Sequence, residues 1–185
     1  MIQKIKASKS EKIIFFFLIS LAVFSLSSFF LIKNKCLFVK DYNPDKLSFD
    51  KPNNIVILNV ECGNVIIELY PNISPNAVER FKTLVRSKAY DDIAFHRVIK
   101  DSLVQAGDLE FGKKGNIDYG KIGTGQSGLG TINSEVDVPF DYERGSVGLA
   151  RTQKYNTEDS QFFITLKDEP LYAVSYTHLT LPTKA

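Results

Sequence analysis

The chain has 185 residues, and its 23 Lys and Arg against 21 Asp and Glu leave a formal net charge of only +2. That balance, without a basic stripe, argues against a nucleic-acid partner. A content of 44% apolar residues excludes a disordered chain, and two cysteines are too few for a disulfide scaffold. The two histidines, His96 and His178, are too few for a His-rich zinc site, and neither has the context of a catalytic triad. We therefore expect neither a metal nor a cofactor.

Residues 13–32, IIFFFLISLAVFSLSSFFLI, form an apolar run without a charge. A helix of about twenty residues rises ~1.5 Å per residue and spans the ~30 Å core of a bilayer. We expect a retained single-pass anchor in the cell membrane. Lysines are slightly more frequent before the run than after it, so residues 1–12 are predicted to stay in the cytoplasm and the rest to be exported.

The run has three other interpretations. A cleaved signal sequence, which would give a secreted protein, needs small residues before the cut; residues 25–27, SLS, offer them, but apolar residues continue beyond. A lipid-modified Cys36 would follow small residues, whereas residues 33–35 read KNK. A buried soluble helix is disfavoured because the run has no polar stripe. Signal cleavage stays open as the alternative.

Residues 33–53 carry two prolines and scattered charges, which predicts a tether between the anchor and a folded domain over residues 54–173. Cys36 lies in this tether, and Cys62 lies in a predicted turn of the domain. A disulfide between them is left open, because sequence alone does not give their separation.

The folded domain begins with two β-branched runs, residues 55–61 and 65–70, whose short Gly-bearing connection predicts a hairpin. Ser74 and Pro75 then predict a helix start, with Ser74 as the N-cap and Pro75 in the first helical position. Apolar residues follow at the spacing of a buried helical stripe that would cover the end of a sheet: Ala77, Val78, Phe81, Leu84 and Val85.

Short extended segments are predicted over residues 94–107, 146–150 and 160–166, with a glycine-rich loop over residues 112–130. Many short strands and one amphipathic helix predict a mainly β, antiparallel, closed architecture. Gly123, Gly125 and Gly128 match a dinucleotide-binding spacing, but no helix pattern follows them. We interpret this segment as a mobile glycine loop.

Four sequence blocks follow one another in the domain: FHRVI at 95–99, VQAGD at 104–108, GSVGLART at 145–152 and SQFFI at 160–164. In order and spacing they resemble the signature blocks of cyclophilin-type peptidyl-prolyl isomerases, and the ART at 150–152 is similar to bacterial members. The resemblance implies a cyclophilin-like antiparallel β-barrel of eight strands capped by helices, with a substrate groove on its outer face.

The resemblance also implies the site. Arg97 would be the catalytic residue, Leu103 and Phe163 would line a cup for the proline ring, and the Ala150–Arg151 backbone would pair with the substrate chain. The implied substrate-binding residues are Phe95, His96, Leu103, Gln105, Ala150, Arg151, Gln161 and Phe163. The expected partners are proline-containing polypeptides, bound by a monomer. His96 is interpreted as structural, because rotation about an X–Pro bond moves no proton.

The sequence departs from the family pattern in two places, in the cup and at the C-terminal end, and both departures bear on activity. Ser102 stands where the family usually has an aromatic residue in the cup, and Ala106 replaces a glycine. Residues 174–185 show none of the family pattern, so we expect a non-native tail, a barrel left incomplete at its C-terminal end, and no function for His178. The sequence thus favours an isomerase of exported proteins. The alternative is a weakly active module that binds proline-containing peptides as a chaperone or scaffold.

Overall fold

The computed structural model describes residues 8–34, 36–37, 43–136, 140–173 and 175–180. The chain forms two compact units, one of residues 1–46 with 59–65 and one of residues 47–58 with 66–185. The helices are α1 (Lys9–Lys33) and α2 (Pro75–Arg86), with 3₁₀ turns at Pro44–Lys46, Pro52–Asn54 and Pro170–Tyr172. The strands are β1 (Ile55–Val60), β2 (Gly63–Glu68), β3 (Arg97–Ile99), β4 (Leu103–Ala106), β5 (Val147–Leu149), β6 (Phe162–Thr165) and β7 (Thr177–His178).

Helix α1 dominates the first unit and contains the whole apolar run predicted at 13–32. A reciprocal cap starts it: the Glu11 amide donates to Ser8 Oγ at 3.2 Å, and the Ser8 amide donates to Glu11 Oε2 at 2.6 Å. The helix has the length and composition to cross a membrane, and a signal sequence near the N-terminus has the same properties. Its retention as an anchor stays a prediction.

The first unit also contains a disulfide between Cys36 and Cys62, which resolves the pairing that the sequence left open. Cys62 lies in the turn between β1 and β2, where Asn59 Nδ2 donates to Asn64 Oδ1 at 2.9 Å. Of the predicted tether, residues 35 and 38–42 lie outside the described residues. The described remainder contains two short 3₁₀ turns.

The second unit contains an antiparallel five-stranded sheet of order β3-β4-β6-β5-β7. The predicted strands at 94–107, 146–150 and 160–166 are confirmed as β3 with β4, β5 and β6. Strands β1 and β2 form the predicted hairpin as a separate two-stranded sheet. Over the described residues the sheets do not close into a barrel, so the fold is the mainly β, incompletely closed form that the sequence predicts.

Strand β7 belongs to the segment 174–185 that the sequence analysis assigns to a non-native tail. It pairs with β5, placing His178 opposite Gly148, and Leu179 beside it is fully buried. Residues 174 and 181–185 lie outside the described residues. The foreign origin of this segment stays a prediction.

Helix α2 packs its apolar stripe on one face of the large sheet. Ala77, Val78, Phe81 and Leu84 are buried, as predicted. The Phe81 ring meets the Phe162 ring edge to face, with centroids 5.3 Å apart. Burial of a Val, Leu or Phe side chain stabilises the fold by about 1.5–3 kcal/mol, and this face forms the hydrophobic core of the unit.

The start of α2 differs from the prediction in its bonding. Ser74 holds the N-cap position, but its side chain makes no capping bond and donates to the carbonyl of His178. The Glu135 carboxylate takes that role, accepting from the amides of Asn76 at 3.1 Å and Ala77 at 3.0 Å. A carboxylate in this position satisfies free N–H groups and complements the positive end of the helix dipole.

We predict that Glu135→Ala lowers the free energy of unfolding by about 1 kcal/mol, the cost of a lost N-terminal cap. Chemical denaturation of the full chain in detergent would measure it. Glu79→Ala is the matched control, because Glu79 is an exposed carboxylate on the same helix and forms an ion pair with the exposed Arg86. Equal effects of the two substitutions would contradict the capping role.

Candidate active site

The central site residues form one row across the large sheet. Arg97 on β3 lies opposite Gln105 on β4, Gln105 lies opposite Phe163 on β6, and Phe163 lies opposite Gly148 on β5. Residues directly opposite one another point to the same face of a sheet. Leu103, two positions before Gln105, shares that face. The neighbouring positions on β4, β5 and β6 point to the other face and form the core under α2.

The row borders a small cavity of about 70 Å³, which we call the cup. It is lined by Arg97, Leu103, Gln105, Ala150, Arg151, Phe163, Tyr172 and Tyr176. The structure therefore brings together most of the residues that the resemblance implied. Beside the cup lies a second cavity of about 340 Å³, which Gln161 lines and which shares Gln105, Ala150 and Arg151 with the cup.

Two predicted substrate-binding residues line neither of these cavities. Phe95 packs against the hydrophobic core, and His96 is a half-buried residue whose ring lies near Gly123. Burial lowers the pKa of the His96 imidazole, and the nearby Asp108 carboxylate opposes that shift only in part. The lowered pKa favours the neutral ring. The predicted contacts of Phe95 and His96 with substrate stay predictions.

Two aromatic residues of the cup were missed by sequence reasoning. Tyr172 and Tyr176 meet Phe163 edge to face, with ring centroids 5.8 and 5.1 Å from it. They lie in an irregular segment without periodicity, so no signal marked them. The Ser102 hydroxyl donates to Glu169 Oε1 at 3.0 Å and is not among the lining residues of the cup.

Gly148 is the one place in the row without a side chain. A Cβ there would overlap the Tyr142 hydroxyl oxygen and lie 2.8 Å from Phe163 Cζ. Tyr142 stacks behind Phe163 with centroids 5.5 Å apart, so it supports the wall of the cup from behind. The glycine is thus needed for the close approach of these two rings.

A chain of amide hydrogen bonds runs from the arginine to the glycine loop. Arg97 Nη1 donates to Gln105 Oε1 at 3.4 Å, and Gln105 Nε2 donates to Gln161 Oε1 at 2.9 Å. Gln161 Nε2 donates in turn to the carbonyls of Gly123 and Gly125, each at 3.0 Å. Each amide is oriented by the next, so Gln105 presents its oxygen to the guanidinium.

The glycine loop is fixed in turn by the buried carboxylate of Asp108. It accepts the amides of Glu110 at 3.1 Å, Phe111 at 2.8 Å, Gly123 at 2.6 Å and Gly125 at 3.0 Å. Burial alone would raise the pKa of Asp108, but these four N–H bonds outweigh it and the pKa lies below its usual value. The loop predicted to be mobile is hydrogen-bonded along its length.

The family is established by comparison with known proteins. A sequence profile described as cyclophilin-type peptidyl-prolyl cis-trans isomerase/CLD matches residues 55–179, more than half of the chain. The chain belongs to the cyclophilin-type peptidyl-prolyl cis-trans isomerase family.

Relatives carry the same description. A probable peptidyl-prolyl cis-trans isomerase of Brucella suis is 43% identical over 129 residues, which are 68% of this chain and 64% of that protein. A peptidyl-prolyl cis-trans isomerase of Acinetobacter baylyi is 31% identical over 125 residues, 68% of this chain and 61% of that protein. The chain thus spans somewhat less than two thirds of the length of these relatives.

Solved structures show the same fold. A cyclophilin-type isomerase of Cryptosporidium parvum, crystallised in the presence of the dipeptide Ala-Pro, is 28% identical with a TM-score of 0.55 and covers 66% of this chain and 74% of its own. A cyclophilin from Hirschia baltica, at 20% identity and a TM-score of 0.57, covers 76% of this chain and 70% of its own and agrees in fold.

We predict that Asp108→Asn destabilises the domain by about 1–3 kcal/mol, because an amide NH₂ would face N–H donors that now have an acceptor. The lowered pKa of Asp108 also gives a stability that is complete above its unfolded pKa of about 3.9 and is lost as the pH falls through the folded value. The variant should therefore lose part of the acid dependence of unfolding below about pH 4, measured by denaturation at a series of pH values.

Asp91→Asn is the control for this prediction, since Asp91 is an exposed carboxylate on the same unit. It should leave the free energy of unfolding at pH 7 unchanged. An Asp108→Asn variant as stable as the parent, with the same acid unfolding curve, would show that the carboxylate does not hold the loop.

Proposed function

We propose that this domain accelerates rotation about X–Pro peptide bonds, acting as a monomer on exported or extracytoplasmic proteins. The observation that carries the proposal is the position of Arg97 at the edge of an apolar cup formed with Leu103 and Phe163. A site that only bound proline rings would not need a fixed cation there.

The chemistry follows from the amide. Resonance across the C–N bond sets a barrier of about 18–20 kcal/mol, and rotation breaks that resonance. The nitrogen of the twisted bond regains a lone pair and can accept a hydrogen bond. The Arg97 guanidinium is always protonated and presents its donors in a rigid fork, so it stabilises this twisted state more than either planar isomer.

Arg97 supplies only part of the acceleration. A hydrogen bond from a charged donor contributes roughly 1.5–3 kcal/mol, or about tenfold to a hundredfold in rate. The rest would come from the cup, which removes water from the prolyl ring, and from Gln105, whose amide is oriented by Gln161 to hold the guanidinium and the peptide. The backbone of Ala150 and Arg151 would pair with the substrate chain.

A second candidate function rests on Ser102. Its hydroxyl is bound to Glu169, and no ring from this position enters the cup, whose aromatic walls are Phe163, Tyr172 and Tyr176. Loss of an aromatic contact from such a pocket costs roughly 1–3 kcal/mol. The domain would then bind proline-containing peptides with little turnover.

We predict that Arg97→Ala lowers kcat/KM for an X–Pro peptide by about tenfold to a hundredfold while peptide binding changes less. Exchange NMR on a short proline peptide would measure both quantities. Arg97→Lys should recover part of the rate, because the charge returns without the fork.

Arg86→Ala is the matched control, since Arg86 is an exposed arginine on α2 that does not line the cup. It should leave the rate unchanged. If the unmutated protein binds the peptide and turns it over no faster than the background, the binding module is the correct function. If Arg97→Ala retains full turnover, the proposal that Arg97 stabilises the twisted peptide bond is wrong.

We also propose that α1 is a retained anchor and that the domain lies outside the cytoplasmic membrane. Two observations support this. Lysines are more frequent before the apolar run than after it. The Cys36–Cys62 disulfide favours an oxidising compartment, because the cytosol keeps most thiols reduced.

We predict that the cysteines are oxidised in intact cells and that a protease added to spheroplasts digests the domain while leaving α1 in the membrane. Non-reducing gels with a thiol-reactive label would report the disulfide, with Cys62→Ser as the control that exposes a free thiol. A protected domain with two free cysteines would place it in the cytoplasm. A soluble digestible domain in the medium would favour signal cleavage.

A further inference from the structure

Arg151 is held in a fixed position by backbone carbonyls and an aromatic ring. Its Nε donates to the carbonyl of Ser175 at 2.6 Å, and its Nη1 donates to the carbonyls of Thr152 at 3.0 Å and Gln153 at 3.2 Å. The guanidinium carbon lies 4.3 Å from the centroid of the Tyr155 ring. Among the described residues, Arg151 has no ion-pair partner, and its Nη2 has no hydrogen-bond acceptor.

The position of this residue relates it to the substrate groove. Arg151 lines the cup, the adjoining 340 Å³ cavity and a third cavity of about 600 Å³ bordered by Leu171 and Tyr172. Because both larger cavities share Arg151 with the cup, residues next to a proline bound in the cup would lie beside Arg151.

The cavities offer no competing free carboxylate among the described residues that line them. Asp159 lines the 340 Å³ cavity, but it forms an ion pair with Arg80 and accepts from the Ser127 amide and hydroxyl, each at 2.5 Å. Arg97, in the cup, adds a second positive charge. The groove is thus positively charged where a peptide would leave the cup.

We propose that the Arg151 side chain binds a carboxylate of the peptide substrate, so that the domain prefers X–Pro sequences with Asp or Glu within two residues of the proline. This inference rests on the proposed function and names its substrate class. The half-buried guanidinium is already oriented by its backbone bonds, so little side-chain freedom is lost when a carboxylate binds. A lysine on the peptide in the same place would be repelled.

The test compares three peptides that differ only in the residue before proline, which is Glu, Gln or Lys, and three with the same change after proline. Affinity is measured by titration calorimetry and isomerisation by exchange NMR, on the full chain in detergent. In at least one of the two sets, the affinity for the Glu peptide should be about threefold to tenfold higher than the affinity for the Gln peptide. This is the size expected for a partly exposed ion pair. Added salt should reduce this ratio.

Substitutions then assign the preference to one side chain. Arg151→Gln should bring the Glu-to-Gln ratio close to one, Arg151→Lys should retain part of it, and Arg151→Glu should favour the Lys peptide. Arg144→Gln is the matched control, because Arg144 is an exposed arginine outside the three cavities and its loss removes the same charge. The control should leave the ratio unchanged.

The outcomes separate the two proposals. A wild-type protein that isomerises all the peptides equally, or a preference that survives Arg151→Gln, overturns the carboxylate site and leaves the isomerase proposal intact. Binding that favours Glu without turnover supports the carboxylate site and overturns the isomerase proposal. A folded wild type that binds none of the peptides overturns both. The comparison of peptides on the wild-type protein needs no substitution. It therefore tests the preference for a carboxylate even if a variant does not fold.

Discussion

The register of three strands is the constraint on which the rest of the second unit depends. Because side chains alternate along a strand, the pairing of β4, β5 and β6 places one set of residues under α2 and the next set on the cup face. A slip by one residue would bury Gln105 and expose Phe162. The requirement for a packed core therefore also fixes which side chains face the cup, and the two cannot vary independently.

Hydrogen bonds connect the cup face of the sheet to the glycine loop. Asp108 binds the glycine-loop amides, the loop carbonyls bind Gln161, and Gln161 orients Gln105 beside Arg97. The network connects a buried carboxylate to an exposed guanidinium through amides that do not titrate. Its contribution to the proposed reaction is orientation, because donors that are already aligned need no rearrangement when the charge distribution of the amide changes.

Local patterns predicted much of this arrangement. The hairpin, α2 and the short strands follow from neighbouring residues, and the signature blocks carried most of the cup. Contacts between distant residues were not predictable: Glu135 rather than Ser74 caps α2 from 59 positions away, and Tyr172 and Tyr176 reach the cup from an irregular segment. The disulfide was undecidable for the same reason, since sequence gives residue types but not the path of the chain between them.

The small volume of the cup has a consequence for a reversible reaction. The two isomers of a prolyl bond are substrate and product by turns, and a site that enclosed one shape closely would release it slowly. A small recess with an exposed arginine at its edge grips little more than the ring that both shapes share. Under the proposed function, a small cup also admits a proline within a loop of a large polypeptide, whose bulk would block entry to a deeper pocket.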